Sequence, residues 1–197
     1  MNRFPHPLQS NAIFRPEHAA LQLGDAQLTF LELRDQVALR AAGLREQGLQ
    51  PGQRVALAAQ STLSFVIDLL AIGWCDASAA LIAKSCAKAA VAQRLESAPC
   101  DAQIGAEFAG CQLRSLLPSR PNKPLPAPSW TLESERFLLW TSGSTGRAKP
   151  VSISSAQWIF SAMGSALRLE HRLDDVWLGC LPFEHIGGLS VLLRTTL

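Results

Sequence analysis

The stretch Thr141-Ser142-Gly143-Ser144-Thr145-Gly146-Arg147-Ala148-Lys149 brings hydroxyls, glycines and an ammonium group together in one short run. Glycine lets the backbone bend until successive amides face one anion, hydroxyls add donors, and lysine adds positive charge. A nucleoside triphosphate needs all three. The run is not a Walker loop, because GxxxxGK[ST] is absent and Lys149 precedes Pro150 instead of opening a helix. Taken alone, Ser-Gly-Ser-Thr-Gly also suits a plain hairpin turn or a flexible linker.

The flanking residues say what must position this run. Arg136 to Trp140 reads as a strand leading into it, and Pro150 to Ile153 as the strand returning from it. Ser154 or Ser155 can cap a following helix with Trp158, Ile159, Ala162, Met163 and Ala166 on one face. Val176 to Leu181 reads as a last strand, ended by Pro182. A further helix is expected from near Gly188, still running at Leu197.

Upstream, strand and helix alternate. Thr29-Phe30-Leu31-Glu32 fits a capping box opening a helix over about 30–47, with Leu33, Val37, Ala41 and Leu44 on one face and Gly48 and Pro51 as stop signals. Arg54 to Ala59 reads as a buried strand, about 62–73 as a helix and Ser78 to Ile82 as a second strand. Ser85 can cap a helix through about Ser97, and Ala102 to Gly105 is a third, weaker strand. The expectation is an α/β fold with a mainly parallel sheet flanked by helices. Residues 1–117 form its N-terminal segment, the proline-rich run 118–129 a surface connection, and 130–197 the phosphate-loop segment of the same domain.

Composition narrows the partners. Eighteen basic and sixteen acidic residues nearly cancel, and no basic cluster appears, which leaves nucleic acid and anionic membrane without an electrostatic case. The most apolar stretch, Leu63 to Ala83, is interrupted by Asp68 and Asp76, as expected of buried helix and strand rather than a bilayer span. Five cysteines, widely spaced and without CxxC, suit neither a disulfide framework nor a zinc site, so a reducing cytoplasm is the default. The low charged fraction of 17% fits either a compact enzyme core or a piece whose apolar face is covered by something else. Homo-oligomerisation stays open. His6, His18 and His171 stand in polar or terminal contexts and are expected at the surface.

Strand, hydroxyl-glycine loop, small residue, lysine and second strand, over Leu138 to Lys149, together resemble the phosphate-binding signature of the adenylate-forming superfamily of acyl-CoA synthetases, luciferase-like enzymes and adenylation domains. Two weaker elements stand in register with it. Leu28-Thr29-Phe30-Leu31-Glu32-Leu33 is similar to an early element of that family, and Leu181-Pro182-Phe183-Glu184-His185-Ile186-Gly187-Gly188-Leu189 to its acyl-pocket segment. Glu184 departs from the usual aromatic residue and is expected to face away from an anionic acid. Gly73-Trp74-Cys75-Asp76-Ala77-Ser78 also departs, lacking the family's proline.

The resemblance implies ATP and Mg²⁺ for acyl-adenylate formation, then coenzyme A as acceptor. It implies Thr141, Ser142, Ser144, Thr145 and Lys149 as phosphate contacts, with Gly143 and Gly146 shaping the loop. It implies His185, Gly187 and Gly188 beside a small carboxylate substrate. Within the superfamily the chain resembles the o-succinylbenzoate:CoA ligase branch, of menaquinone biosynthesis. There a basic residue in the place of Arg194 pairs with the acid's distal carboxylate; an arginine merely solvated near a helix C-terminus reads the same. The family's Mg²⁺ acid, ribose Asp and C-terminal lysine have no counterpart motif, so the chain is expected to be truncated and inactive by itself. A carrier-linked adenylation domain and an inactive nucleotide-binding protein are the alternatives.

Overall fold

The computed structural model describes residues 3–106, 108, 112–119, 121–141 and 147–196. In chain order the elements are β1 (Arg3–Pro5), α1 (Pro7–Phe14), β2 (Ala19–Leu23), β3 (Ala26–Thr29), α2 (Phe30–Glu46), β4 (Arg54–Ala59), α3 (Leu63–Trp74) and β5 (Ser78–Ala83). There follow α4 (Lys88–Ser97), β6 (Ala102–Ile104), β7 (Arg114–Ser115), β8 (Ser129–Thr131), β9 (Glu135–Thr141), β10 (Lys149–Ser154), α5 (Ser155–Leu169) and α6 (Ile186–Thr195). Among the described residues, no helix is long and apolar enough to cross a membrane.

One sheet of order β10-β9-β5-β4-β6-β7 carries the fold. All its pairs are parallel except β10 with β9. The mainly parallel α/β expectation is met, because crossover helices must cover both faces of such a sheet. Successive strand residues supply opposite faces. Val55 and Leu57, Ala79 and Leu81, and Phe137 and Leu139 join Leu33, Leu44, Phe65, Leu69 and Trp158 on one side. Ala56, Ala80, Ile82, Leu138 and Trp140 meet Val91 and Leu95 of α4 on the other.

Helix α2 starts as its sequence requires. Thr29 N–H donates to the Glu32 carboxylate at 2.8 Å, and Glu32 N–H donates to Thr29 Oγ1 at 3.2 Å. Helix α5 uses the same device, with Ser154 N–H donating to Gln157 and Gln157 N–H to Ser154 Oγ. At the turn before β4, Gly52 has φ +77 and its N–H donates to the Asp76 carbonyl at 2.8 Å. A side chain with a Cβ is strained in that left-handed conformation.

Several expectations are corrected. Ser85 does not cap α4: Cys86 N–H donates to the Ala83 carbonyl, closing a turn first, and the helix opens after Ala87 without a side-chain cap. Val176 to Leu181 is not a strand, for its residues join no ladder, and Val176 and Leu178 stand 94% and 80% exposed. Alternating apolar residues make a strand only where a neighbour takes their backbone hydrogen bonds. Helix α6 begins at Ile186 and closes at Thr195, where the Thr195 and Thr196 hydroxyls donate to the Leu192 and Leu193 carbonyls. Leu197 lies outside the described residues.

His6 is not a surface residue but fully buried, between Trp74 and Trp130 at ring-centroid distances of 4.9 and 4.3 Å. Burial, with the charge of Arg136 second, holds its pKa down to about 3. His171 is half-buried against Trp177. On α5, Trp158 and Ala162 are buried while Met163 is exposed, because the helix covers the edge strand β10 and meets the core along a narrow stripe.

Candidate functional site

The residues expected to contact phosphate lie between and at the ends of β9 and β10. These strands pair antiparallel with Thr141 opposite Lys149, and the Thr141 hydroxyl donates to the Lys149 carbonyl at 3.5 Å. Ser142, Gly143, Ser144, Thr145 and Gly146 lie outside the described residues. What the structure describes is the neck of the loop, where Thr141 and Lys149 stand opposite each other in register. β10 is the edge of the sheet, which is where Pro150, lacking an N–H, is tolerated.

The base of this hairpin is tied down by Glu135. Its carboxylate accepts a bidentate pair from Arg54 at 2.9 and 3.0 Å, a bond from Ser78 at 2.8 Å and one from Ser152 at 2.6 Å. Burial pushes this carboxyl up, but the Arg54, Ser152 and Ser78 donors outweigh it and hold it below its ordinary value. Four strands are thereby pinned beneath the loop. Lys149 and Thr141 are exposed, and among the described residues no acid pairs with Lys149. Lys149 thus offers an ammonium that no described acid neutralises.

Beside the hairpin lies a cavity of about 240 Å³ between β10, α5 and α6, walled by Val151, Ile153, Trp158, Ile186, Ser190 and Arg194. Trp158 Nε1 donates to the Leu193 carbonyl at 3.1 Å and joins the two helices. Alternation along β10 puts Lys149, Val151 and Ile153 on one face; Val151 and Ile153 line the cavity and Lys149 does not. Arg194 closes the other side.

Of the sequence-derived acyl-site residues, only Arg194 is brought to this wall. His185 is the exposed N-cap of α6, without a side-chain capping bond, and does not line the cavity. Gly187 and Gly188 form the first turn of α6. A Cβ on Gly188 would fall 2.3 Å from the Pro182 carbonyl oxygen and 2.5 Å from that of Leu181, so this glycine lets two chain segments touch. Glu184 is half-buried and does not line the cavity either. Ser190 and Trp158 were missed by sequence reasoning; Ser190 was visible only as the residue one turn before Arg194 on the same helical face.

Among the described residues no group of three His, Cys, Asp or Glu side chains could hold a metal ion. Mg²⁺ is commonly held by one or two carboxylates and substrate phosphates and needs no such group; no step is drawn through it. Nor does any feature of the described residues single out a coenzyme A site.

The chain resembles known proteins over nearly its full extent. The 2-succinylbenzoate–CoA ligases of Bacillus cereus and Bacillus mycoides are each 26% identical to it over 200 residues, covering 98% of this chain and 42% of the relative. The chain thus spans less than half the length of these relatives. Among solved structures, the Bacillus subtilis o-succinylbenzoate CoA synthetase in complex with the acyl-adenylate intermediate OSB-AMP superposes with a TM-score of 0.90 at 24% identity, over 99% of this chain and 54% of that one. The same enzyme in complex with ATP and magnesium ion gives 0.89 at 23% identity, over 99% and 55%. At these identities the superpositions speak for the fold alone. A family model described as AMP-binding enzyme matches residues 8–197, and the chain belongs to that family.

Proposed function

We propose that this chain supplies the phosphate-gripping and acid-binding part of an AMP-forming carboxylate:CoA ligase, with o-succinylbenzoate as the acid. Thr141 and Lys149, with the hydroxyls and amides of 142–146, hold the β- and γ-phosphates of ATP. The aromatic acid fills the cavity, its distal carboxylate paired with Arg194. Its other carboxylate oxygen attacks the α-phosphorus; the bond from that phosphorus to the bridging oxygen breaks, and pyrophosphate leaves with the electron pair. The mixed anhydride then passes its acyl group to the coenzyme A thiol, releasing AMP. Mg²⁺, when bound by the complete enzyme, neutralises charge on the phosphates.

The observation that carries this reading is the shared wall. Arg194, a cation without an acidic partner among the described residues, joins the apolar residues of β10 in the wall of one cavity, and β10 carries Lys149 at its loop end. An aromatic acid with a second carboxylate for Arg194 complements that wall, and an amino-acid ammonium does not, which argues against a carrier-linked adenylation domain. The Bacillus relatives' names support the choice of acid. Residues 1–117 and 130–197 act as one unit in this reading, joined by 118–129, a view supported by β9 pairing with β5. Cys75, Cys86 and Cys180, all free thiols, suit the cytoplasm.

The test measures ATP binding by calorimetry on the chain, and o-succinylbenzoate-dependent pyrophosphate release by the chain as it stands and by one extended to the relatives' length. ATP should bind to both, with release only from the extended protein. Release from neither, with o-succinylbenzoate or any aryl acid, defeats the proposed activity. ATP binding without release in both leaves a nucleotide-binding protein.

A further inference from the structure

Arg194 is held on two sides by protein groups. It lies in the last turn of α6, where its Nε donates to the Ser190 carbonyl at 3.1 Å and its Nη2 to Ser190 Oγ at 3.2 Å. Ser190 Oγ in turn donates to the Gly187 carbonyl at 2.9 Å. The hydroxyl hydrogen is thus committed, and its lone pairs are left for the guanidinium. The Arg194 guanidinium also lies over the Trp177 ring, with Cζ 4.8 Å from the ring centroid. Trp177 comes from the segment between α5 and α6 that joins no ladder, and its second ring neighbour is His171, with centroids 4.9 Å apart.

A guanidinium offers five N–H donors in one plane. Ser190 engages two of them, and the rest meet no protein acceptor among the described residues. An acidic partner would consume those donors and cancel the charge. An indole face does neither: it attracts the cation through its ring and leaves every N–H available. Swinging into solvent would cost Arg194 both contacts, so its plane is set at the cavity wall that it shares with Ser190. That fixed fork is what bidentate pairing with a carboxylate requires.

We infer that Trp177 is a positioning residue which, by stacking on Arg194, sets the preference of this cavity for acids that carry a second carboxylate. The inference rests on the acyl-acid reading proposed above. Trp177 belongs to neither core cluster, so its replacement should leave the packing of the sheet intact.

The experiment compares wild type, Trp177→Phe and Trp177→Ala by calorimetry with two probes: o-succinylbenzoate, and the matching 2-acylbenzoate lacking the distal carboxylate. Trp177→Ala should weaken the dicarboxylate about two- to fivefold and leave the monocarboxylate unchanged, with Trp177→Phe recovering most of the loss. Equal loss for both acids, or none for the dicarboxylate, overturns the inference. A wild-type chain that does not distinguish the two acids overturns the acid-site reading itself, and with it the claim of selectivity. The contact is read separately from the Arg194 Nε–H resonance. It should lose its ring-current shift in Trp177→Ala and keep it in Trp177→Phe; an unmoved signal removes Trp177 from the role whatever the acid.

Discussion

The guanidinium of Arg136 donates a 2.7 Å hydrogen bond to the carboxylate of Asp76, linking the start of β9 to the turn that follows α3. The Arg136 side chain is 1% exposed, and it also donates to Ser155 Oγ at 2.8 Å while lying 4.2 Å from the Trp130 ring centroid. Burial lowers the pKa of this guanidinium, and Asp76 opposes the shift. Asp76 additionally holds a left-handed backbone, with φ 55.

Removing one partner of such a pair strands a buried charge, at a cost of about 3–5 kcal/mol. Asp76→Ala should therefore lower the unfolding free energy by about that much in denaturant titrations. Asp76→Asn, which keeps an acceptor and tolerates the left-handed backbone, should lose clearly less. Equal loss from both variants would show that the carboxylate charge alone, not the acceptor, holds Arg136.

His6 makes stability depend on acid. An unfolded histidine takes up its proton near pH 6.5, whereas in the folded protein burial, and then Arg136, delay this to about pH 3. The contribution of neutral His6 is whole above pH 6.5 and is lost as the pH falls from there towards 3, with a limiting slope of about 1.4 kcal/mol per pH unit. His6→Asn keeps an acceptor for the Leu8 N–H that Nδ1 now accepts at 3.2 Å, but does not titrate. Its urea midpoint should fall less steeply between pH 6.5 and 4 than that of the wild type.

Lys149→Ala should weaken ATP binding about tenfold to a hundredfold, the usual span for one charge-assisted hydrogen bond. Arg147, whose 3.7 Å pair with Glu96 is exposed at both ends, should change stability by less than about 0.5 kcal/mol when replaced by alanine. Calorimetry with ATP and thermal melts check the two separately. If Lys149→Ala binds ATP as the wild type does, the loop is not a phosphate grip.

Cys75 is buried, its thiol donates to the Ala41 carbonyl at 3.3 Å, and burial pushes its pKa up to about 12 despite Arg45 and Arg40. Only the thiolate reacts readily. Native protein at pH 8 should thus alkylate at the exposed Cys180 well before Cys75, which should react only after unfolding. Mass spectrometry of peptides from timed iodoacetamide reactions distinguishes them.

The amino-acid sequence alone determined those features whose causes lie within a few residues. Thr29 and Glu32 close their capping box within one turn, and the apolar runs at 54–59 and 78–82 fit strands buried on both faces. Val176 to Leu181 has the alternation of a strand, yet whether it becomes one depends on a neighbour with free backbone groups, and among the described residues none pairs with it. Polar surroundings at the N-terminus suggested a surface His6; Trp74 and Trp130, far along the chain, bury it. The same holds at the cavity. Arg194 and its helical neighbour Ser190 were within reach of helical periodicity, while the indole of Trp177 over that guanidinium exists because the chain between α5 and α6 folds back on α6. Tertiary structure decided what depends on distance in space, since burial and cation–ring contact are set by which segments meet.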